Sequence, residues 1–248
     1  MNIKLYNDDM FNILPTIEDR TVNMIFADFP YQTTNLSWDT LIDLELFWKE
    51  ANRILTKNGV VVATAQFPFT ATLAMSNIKN LKYEWIWEKT QATGHLNSKR
   101  MPMKSHENIL IFYKKLPTYN PQMTSGHKRK VSSAKNRSAC IERRNNTENI
   151  YNNEYPDKIN DYDSTDRFPR DVITFSSDKQ KSTLHKTQKP LLLLEYLIKT
   201  YSNEGDVILD PCFGSNTTGL ACKNLNRDYI GIEMDKNFYH IGYNRVFK

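Results

Sequence analysis

The stretch VILDPCFGSNTTGLACKNLNRDYIGIEMD (207–235) decides the fold. Val207, Ile208 and Leu209 read as a buried strand that ends at Asp210. A tight turn with Gly214 follows, then a helical stretch, TTGLACKNLN (217–226), and a second strand, YIGIEMD (229–235). That strand brings an acid, Glu233, 23 positions after Asp210. A strand, a small-residue loop, a helix and a strand ending in an acid form the unit that holds adenosine-type cofactors at the carboxyl ends of parallel strands. The second acid would accept hydrogen bonds from ribose hydroxyls, and a loop of small residues lets backbone approach a ligand closely. The loop lacks both G-x-G-x-x-G and the G-K-[ST] of a phosphate cradle, which points to a cofactor without phosphates. With Asp210 and no basic residue it suits a cation, such as a sulfonium that also carries an amino group. Taken alone, the same residues also fit an ordinary strand–helix turn capped by Thr217.

Outward from this unit the pattern repeats. PLLLLEYLIKTYS (190–202) reads as a helix opened by Pro190. In the first half, VNMIFA (22–27), VVVATA (60–65), YEWIWEK (83–89) and NILIFYK (108–114) read as strands, and LELFWKEANRILTKNG (44–59) as an amphipathic helix stopped by Gly59. Such alternation predicts an α/β domain with a parallel sheet. Between the halves the apolar runs vanish. From Lys114 to Arg144 five lysines and four arginines face one glutamate, the mark of a solvated insertion or of a nucleic-acid contact. One α/β domain over 1–114 and 182–248, split by a polar insertion over 115–181, is the expected organisation.

A chain of 248 residues that is 40% hydrophobic can build a core, which excludes global disorder, and a net charge of +5 suits a polyanionic partner without proving one. The three cysteines, Cys140, Cys212 and Cys222, are odd in number and lack metal-ligand spacing, so neither a disulfide framework nor a structural zinc site is expected. His95, His106, His127, His185 and His240 show no metal spacing either, and no metal is expected. Met1 to Asp8 has no apolar signal segment and no run is long enough for a membrane span, so the expected compartment is the cytoplasm.

MIFADFPYQTTNLSWD (24–39) places Asp28, Phe29, Pro30 and Tyr31 just after a strand. An amino group conjugated to a nucleobase ring is a poor nucleophile, because its lone pair is delocalised. Accepting hydrogen bonds from both of its N–H groups localises that pair. Asp28 can supply one acceptor and the backbone carbonyl of Phe29 the other, while Tyr31 can stack on a base swung out of its helix. Direct displacement from a sulfonium then needs no covalent intermediate. Pro211-Cys212 is a pair that also marks enzymes with a nucleophilic thiolate, but Cys212 lies in the presumed cofactor loop and reads as a packed small residue.

Asp-Phe-Pro-Tyr resembles the Asp-Pro-Pro-Tyr motif of DNA amino-methyltransferases, and ILDPCFGSNTTGLA resembles their cofactor motif. HKTQKP (185–190), LYNDDMFNIL (5–14), WIWEKTQATG (85–94) and SHENILIFYK (105–114) are similar to further family segments. The order of catalytic loop, insertion and cofactor loop is the permuted order of the β class, found among adenine methyltransferases of restriction-modification systems. The resemblance covers the chain apart from roughly 115–181. It implies a Rossmann-like methyltransferase sheet with helices on both faces, circularly permuted, with 115–181 as target-recognition insertion. It implies S-adenosyl-L-methionine as cofactor, double-stranded DNA as substrate and the 6-amino group of adenine as target. Asp28, Phe29, Pro30 and Tyr31 would form the catalytic loop. Asp9, Asp28, Thr187, Gln188, Lys189, Asp210, Pro211, Phe213, Gly214, Ser215, Asn216, Thr217, Thr218 and Glu233 would hold the cofactor. Lys128, Arg129, Lys130, Lys135, Arg137, Arg143 and Arg144 would neutralise DNA phosphates. A second copy of the chain or a cognate restriction endonuclease are the protein partners such an enzyme could have.

Three positions depart from the family pattern. Phe29 replaces a proline, which keeps the carbonyl acceptor but loses the ring's rigidity. Asn216 replaces a glycine and is the residue best able to keep a left-handed backbone. Lys186 replaces a proline, with no physical account. The 4-amino group of cytosine is the alternative target, and a cofactor- and DNA-binding module made silent by Phe29 is the alternative class.

Overall fold

The computed structural model describes residues 1–30, 42–136, 138, 161–176 and 188–248. Two compact units separate: Met1–Asn120 together with Arg170–Lys248, and Pro121–Pro169.

The larger unit is built on an eight-stranded sheet in the order β1 (Ile3–Tyr6), β10 (Asp228–Ile232), β9 (Val207–Asp210), β2 (Val22–Ala27), β3 (Leu55–Ala65), β5 (Lys104–Tyr113), β4 (Leu81–Thr93), β8 (Val172–Phe175). Only β5 runs antiparallel to its neighbours. Alternation along each strand feeds two cores. Ile25, Ala27, Val61 and Ala63 pack with Phe47, Trp48, Ala51 and Ile54 of α2 (Leu44–Ile54) and with α3 (Phe69–Ser76). Met24, Phe26, Val60 and Val62 pack instead with Leu193, Leu194, Leu197 and Ile198 of α4 (Leu191–Tyr201) and with Ala221 and Cys222 of α5 (Thr217–Asn224). The sheet thus carries helices on both faces, as the sequence predicts. From β9 the chain steps outward to β10, and from β2 it steps the other way to β3. The boundary between β9 and β2 is therefore the switch point, where ligands of such sheets bind at the carboxyl ends.

Two local expectations need correction. The helix predicted over 44–59 ends at Ile54, because Leu55 turns extended with φ −66° and ψ 138°. Val22 pairs with Leu55 and Met24 with Val60, so the residues between form an irregularity in the strand. Gly59 serves close packing rather than helix termination, since a Cβ there would lie 2.8 Å from Leu55 Cδ2. The last strand ends at Ile232, and a twelve-residue helix, α6 (Lys236–Phe247), follows it, capped by Asp235.

In the smaller unit β6 (Lys130–Ser132) and β7 (Tyr162–Ser164) form an antiparallel pair, closed by a bridge between Thr124 and Arg167. None of its described residues is buried, and Arg167 donates to the carbonyls of Ser164, Asp166 and Lys128. Strand β8 lies within the predicted insertion by sequence but pairs with β4, Ile86 opposite Val172.

Candidate active site

Met24 and Ile25 of β2 lie beside Ile208 and Leu209 of β9, so the residues after each strand emerge together. The thiol of Cys212 donates to the backbone carbonyl of Asp28 at 3.3 Å, joining segments 184 positions apart. Burial pushes that thiol well above its ordinary range, with the charges of Asp210 and Asp28 adding to the effect. Cys212 is a packed hydrogen-bond donor between the two loops and has none of the character of a thiolate nucleophile.

Asp28, partly exposed, is the end of a charge chain whose other members, Lys189, Glu107 and Lys89, are buried. Thr64 Oγ1 donates to its Oδ1 at 2.5 Å, and Lys189 Nζ donates to Oδ1 and Oδ2 at 2.8 and 2.7 Å. Lys189 also lies 3.3 Å from Glu107 Oε2, whose other oxygen meets Lys89 Nζ at 2.7 Å and Gln66 Nε2 at 2.9 Å. Burial alone would raise the Glu107 carboxyl, but Lys189 and Lys89 outweigh it and bring it down to about 2. Phe29 turns its ring into the core, edge-on to Phe47 with centroids 4.9 Å apart. The departure from proline therefore anchors the loop by packing where a second ring would have stiffened it.

The loop that follows β9 is built differently. Asp210 is buried and accepts from Cys212 N at 3.1 Å. Burial, helped by the charges of Asp28 and Glu233 and opposed by hydrogen bonds from Thr218 and Cys212, pushes its carboxyl up to about 7. Glu233 lies just past β10 and accepts from Gly214 N at 2.8 Å and Asp235 N at 2.9 Å, and burial raises it too. Gly214 and Asn216 have φ of 53° and 57°, and the Asn216 side chain caps α5 through Gly219 N at 3.1 Å. Phe213 puts its ring into a slot between Gly231 and Gly242, where a Cβ would come within 2.8 and 2.6 Å of it. Ser215, Thr217 and Thr218 are buried, and Arg245 of α6 reaches Ser215 O at 3.1 Å and Thr217 Oγ1 at 2.9 Å. Asp9 caps the short helix α1 (Met10–Ile13) through Phe11 N at 2.8 Å, at the end of β1, whose Tyr6 carbonyl accepts from Glu233 N.

The described residues thus bring Asp9, Asp28, Lys189, Asp210, Pro211, Gly214 and Glu233 to one end of adjoining strands, with Phe29 and Phe213 turned inward and Gln188 and Pro30 continuing their loops. In the smaller unit Arg129 is held by Asp163 at 2.7 and 2.5 Å, and Lys128, Lys130 and Lys135 lie along the same exposed segment. Tyr31, Thr187, Arg137, Arg143 and Arg144 lie outside the described residues. Thr64, Glu107, Lys89 and Arg245 are site residues that sequence reasoning does not find. For Lys89 one signal exists: it follows Trp85 and Trp87 at the two-residue spacing of an inward strand face, and all three are buried.

A doubly wound sheet with paired acidic loops at its switch point defines an α/β enzyme of the methyltransferase fold. Residues 22–244 match the family described as DNA methylase. The chain is 30% identical, over 98% of its length and 82% of the relative's, to the DNA adenine methyltransferase YhdJ of Escherichia coli, and 25% identical to the type II methyltransferase M.HpaI of Haemophilus parainfluenzae, over 99% of this chain and 74% of that one. Among solved structures the M1.HpyAVI–SAM complex superposes with a TM-score of 0.65 at 24% identity, covering 99% of this chain and 100% of that one. The cytosine-N4-specific PvuII DNA methyltransferase superposes at 0.68 and 15%, covering 100% and 87%. The chain belongs to this family of DNA methylases.

Proposed function

We propose that this protein is an S-adenosyl-L-methionine-dependent DNA methyltransferase acting on the exocyclic 6-amino group of adenine in double-stranded DNA. The observation that carries the reading is the meeting of the Asp28 loop and the Asp210–Gly214 loop through Cys212. The likeness to a named adenine methyltransferase over nearly the whole chain supports the choice of base.

The donor set fits the cofactor. Asp210 and Glu233 are both shifted upward, first by burial and then by neighbouring carboxylates, while Lys189 is engaged by Asp28 and Glu107. A cationic ligand balances these two acids, and Ser215, Thr217, Thr218, Pro211, Asn216, Phe213 and Gly214 shape the loop around it; Asp9, Thr187 and Gln188 are the further contacts of the same reading. When bound, S-adenosylmethionine supplies an electrophilic methyl group. Asp28, as an acceptor-only carboxylate, takes a hydrogen bond from one amino N–H, and the Phe29 carbonyl takes the other. Pro30 fixes the backbone that presents that carbonyl, and Tyr31 stacks on the base. Lys189 and Thr64 orient Asp28. The amino proton that must leave is taken toward Asp28 Oδ atoms and passed to solvent.

Residues 115–181 act as target-recognition insertion, with Lys128, Arg129, Lys130, Lys135, Arg137, Arg143 and Arg144 on phosphates. A second copy of the chain or a restriction endonuclease partner belongs to the same reading, as does action in the cytoplasm; among the described residues no helix is long and apolar enough to cross a membrane, and Cys212 and Cys222 are free thiols. Incubation with methyl-labelled cofactor and duplex DNA, followed by digestion to nucleosides, tests this. Label in 6-methyladenine that disappears with Asp28→Ala is the expected result. Label in 4-methylcytosine moves the target to cytosine, and tight cofactor binding without label in DNA overturns the enzyme reading.

A further inference from the structure

Strands β4 and β5 do not stop where the sheet stops. Ala65, the last residue of β3, pairs with Asn108, whereas β5 begins at Lys104 and β4 runs on to Thr93. At roughly 3.3 Å per residue the hairpin stands about 13 Å beyond the carboxyl edge, and two strand spacings place it about 10 Å to the side of β2 and Asp28. Residues 90 to 106 are all exposed, an unbroken run of seventeen. This arm buries almost nothing and adds little to the core, so the stability of the fold does not explain it.

Its tip, GHLNSKRMPMK (94–104), carries Lys99, Arg100 and Lys104 and no acid. Among the described residues none of these three cations forms an ion pair. Leu96, Met101 and Met103 are 87%, 53% and 41% exposed, an uncovered apolar surface beside the charges. The tip is nonetheless shaped. Gly94 turns it with φ 89°, and Asn97 N to Gly94 O at 3.0 Å, Ser98 N to His95 O at 3.1 Å and Arg100 N to Asn97 O at 2.8 Å close successive turns. A shaped, cationic, partly apolar projection thus stands past the carboxyl end of β3, the end of the sheet at which Asp28 lies.

We propose that this hairpin tip, Gly94–Lys104, is a DNA-contacting element, in which Lys99, Arg100 and Lys104 bind backbone phosphates about three to five base pairs from the target nucleotide. The inference rests on the reading of the protein as a DNA methyltransferase and adds a contact outside the 115–181 insertion. It fixes the orientation of the duplex from the catalytic domain itself, independently of the residues that read sequence.

The test is the double charge reversal Lys99→Glu, Arg100→Glu, at two exposed positions where the fold has no stake. Methyl transfer and equilibrium binding to a fluorescent duplex are measured across a salt series, with Lys79→Glu, an exposed lysine at the opposite end of β4, as control. The reversal is expected to raise KM for duplex about tenfold or more, to leave kcat at saturating DNA within about threefold, and to reduce the salt slope of binding by about two phosphate contacts. Cofactor affinity without DNA stays unchanged. Duplex affinity and salt slope equal to those of the parent and of Lys79→Glu would overturn the proposal. If the parent protein binds duplex but methylates none, the enzymatic reading fails while the binding comparison still decides whether the tip touches DNA.

Discussion

The two sides of the switch point treat their carboxylates in opposite ways. On the β2, β3 and β5 side, Asp28 and Glu107 share Lys189, and Lys89 completes the set, so charge is balanced within the protein. On the β9 and β10 side, Asp210 and Glu233 have backbone N–H donors but, among the described residues, no ammonium, and both are pushed upward, Asp210 to about 7. If Asp28 is the acceptor for the amino group and the loop after Asp210 seats the cofactor, as proposed, the difference separates two tasks. A group that must meet a neutral amino group at a fixed angle is set in place beforehand by ion pairs. Groups that must receive a cationic ligand are left short of positive charge, so that the ligand itself completes the arrangement.

The largest effect belongs to the preset side. Asp28→Asn keeps the size of the side chain but replaces one acceptor by a donor aimed at the amino group. Single-turnover methyl transfer should fall by about 10³-fold. A loss of less than about tenfold would mean that the preset carboxylate is not at the reacting nitrogen.

Next comes the ion chain. Lys189→Met removes the ammonium that Asp28 and Glu107 share and leaves buried Glu107 facing Lys89 alone, which should lower unfolding free energy by about 3–5 kcal/mol in a denaturant titration. Adding Glu107→Gln should recover part of that loss. If the double variant is as unstable as the sum of the two singles, the chain is not a charge-coupled unit.

The pH profile of stability separates the two sides by sign. Glu107 is lowered from 4.5 to about 2, so its contribution is present above pH 4.5 and is lost as pH falls toward 2. Asp210 is raised from 3.8 to about 7, so the protonated native form stabilises the fold below pH 3.8 and that stability is lost as pH rises through 7. The second slope is worth up to about 4 kcal/mol. Asp210→Asn should flatten the decline between pH 4 and 7 and leave the low-pH limb intact. Equal slopes in parent and variant would remove the contrast.

Much of this contrast is legible in the order of the residues alone. The strand ends at Asp28, Asp210 and Glu233 announce themselves, because an acid after an apolar run with small residues behind it is a local pattern. The left-handed backbone at Asn216 follows from residue type. The ion chain is not legible, because Glu107 and Lys189 become neighbours only when β5 and the segment before α4 come together, and a lone Glu heading an apolar strand looks like a solvated end. Arg245 is hidden for another reason. Its helix shows Tyr243 and Phe247 nearly half exposed, which blurs the apolar stripe from which a helix is recognised. The early end of α2 at Ile54 escapes sequence reasoning because Gly59 mimics a helix stop while serving close packing at a strand irregularity.

The smallest effect concerns Phe29, the residue that departs from the family motif. If its ring is only a core anchor for the preset loop, the reaction uses its backbone and stability uses its side chain. Phe29→Leu keeps an apolar side chain, gives up the edge-on contact with Phe47, and should cost about 1 kcal/mol of stability. The carbonyl acceptor is untouched, so kcat at a temperature well below unfolding should stay within about twofold. A fall in kcat out of proportion to the loss of stability would show that the ring sets the carbonyl's direction, and the loop would then be preset by packing as much as by the ion pairs behind Asp28.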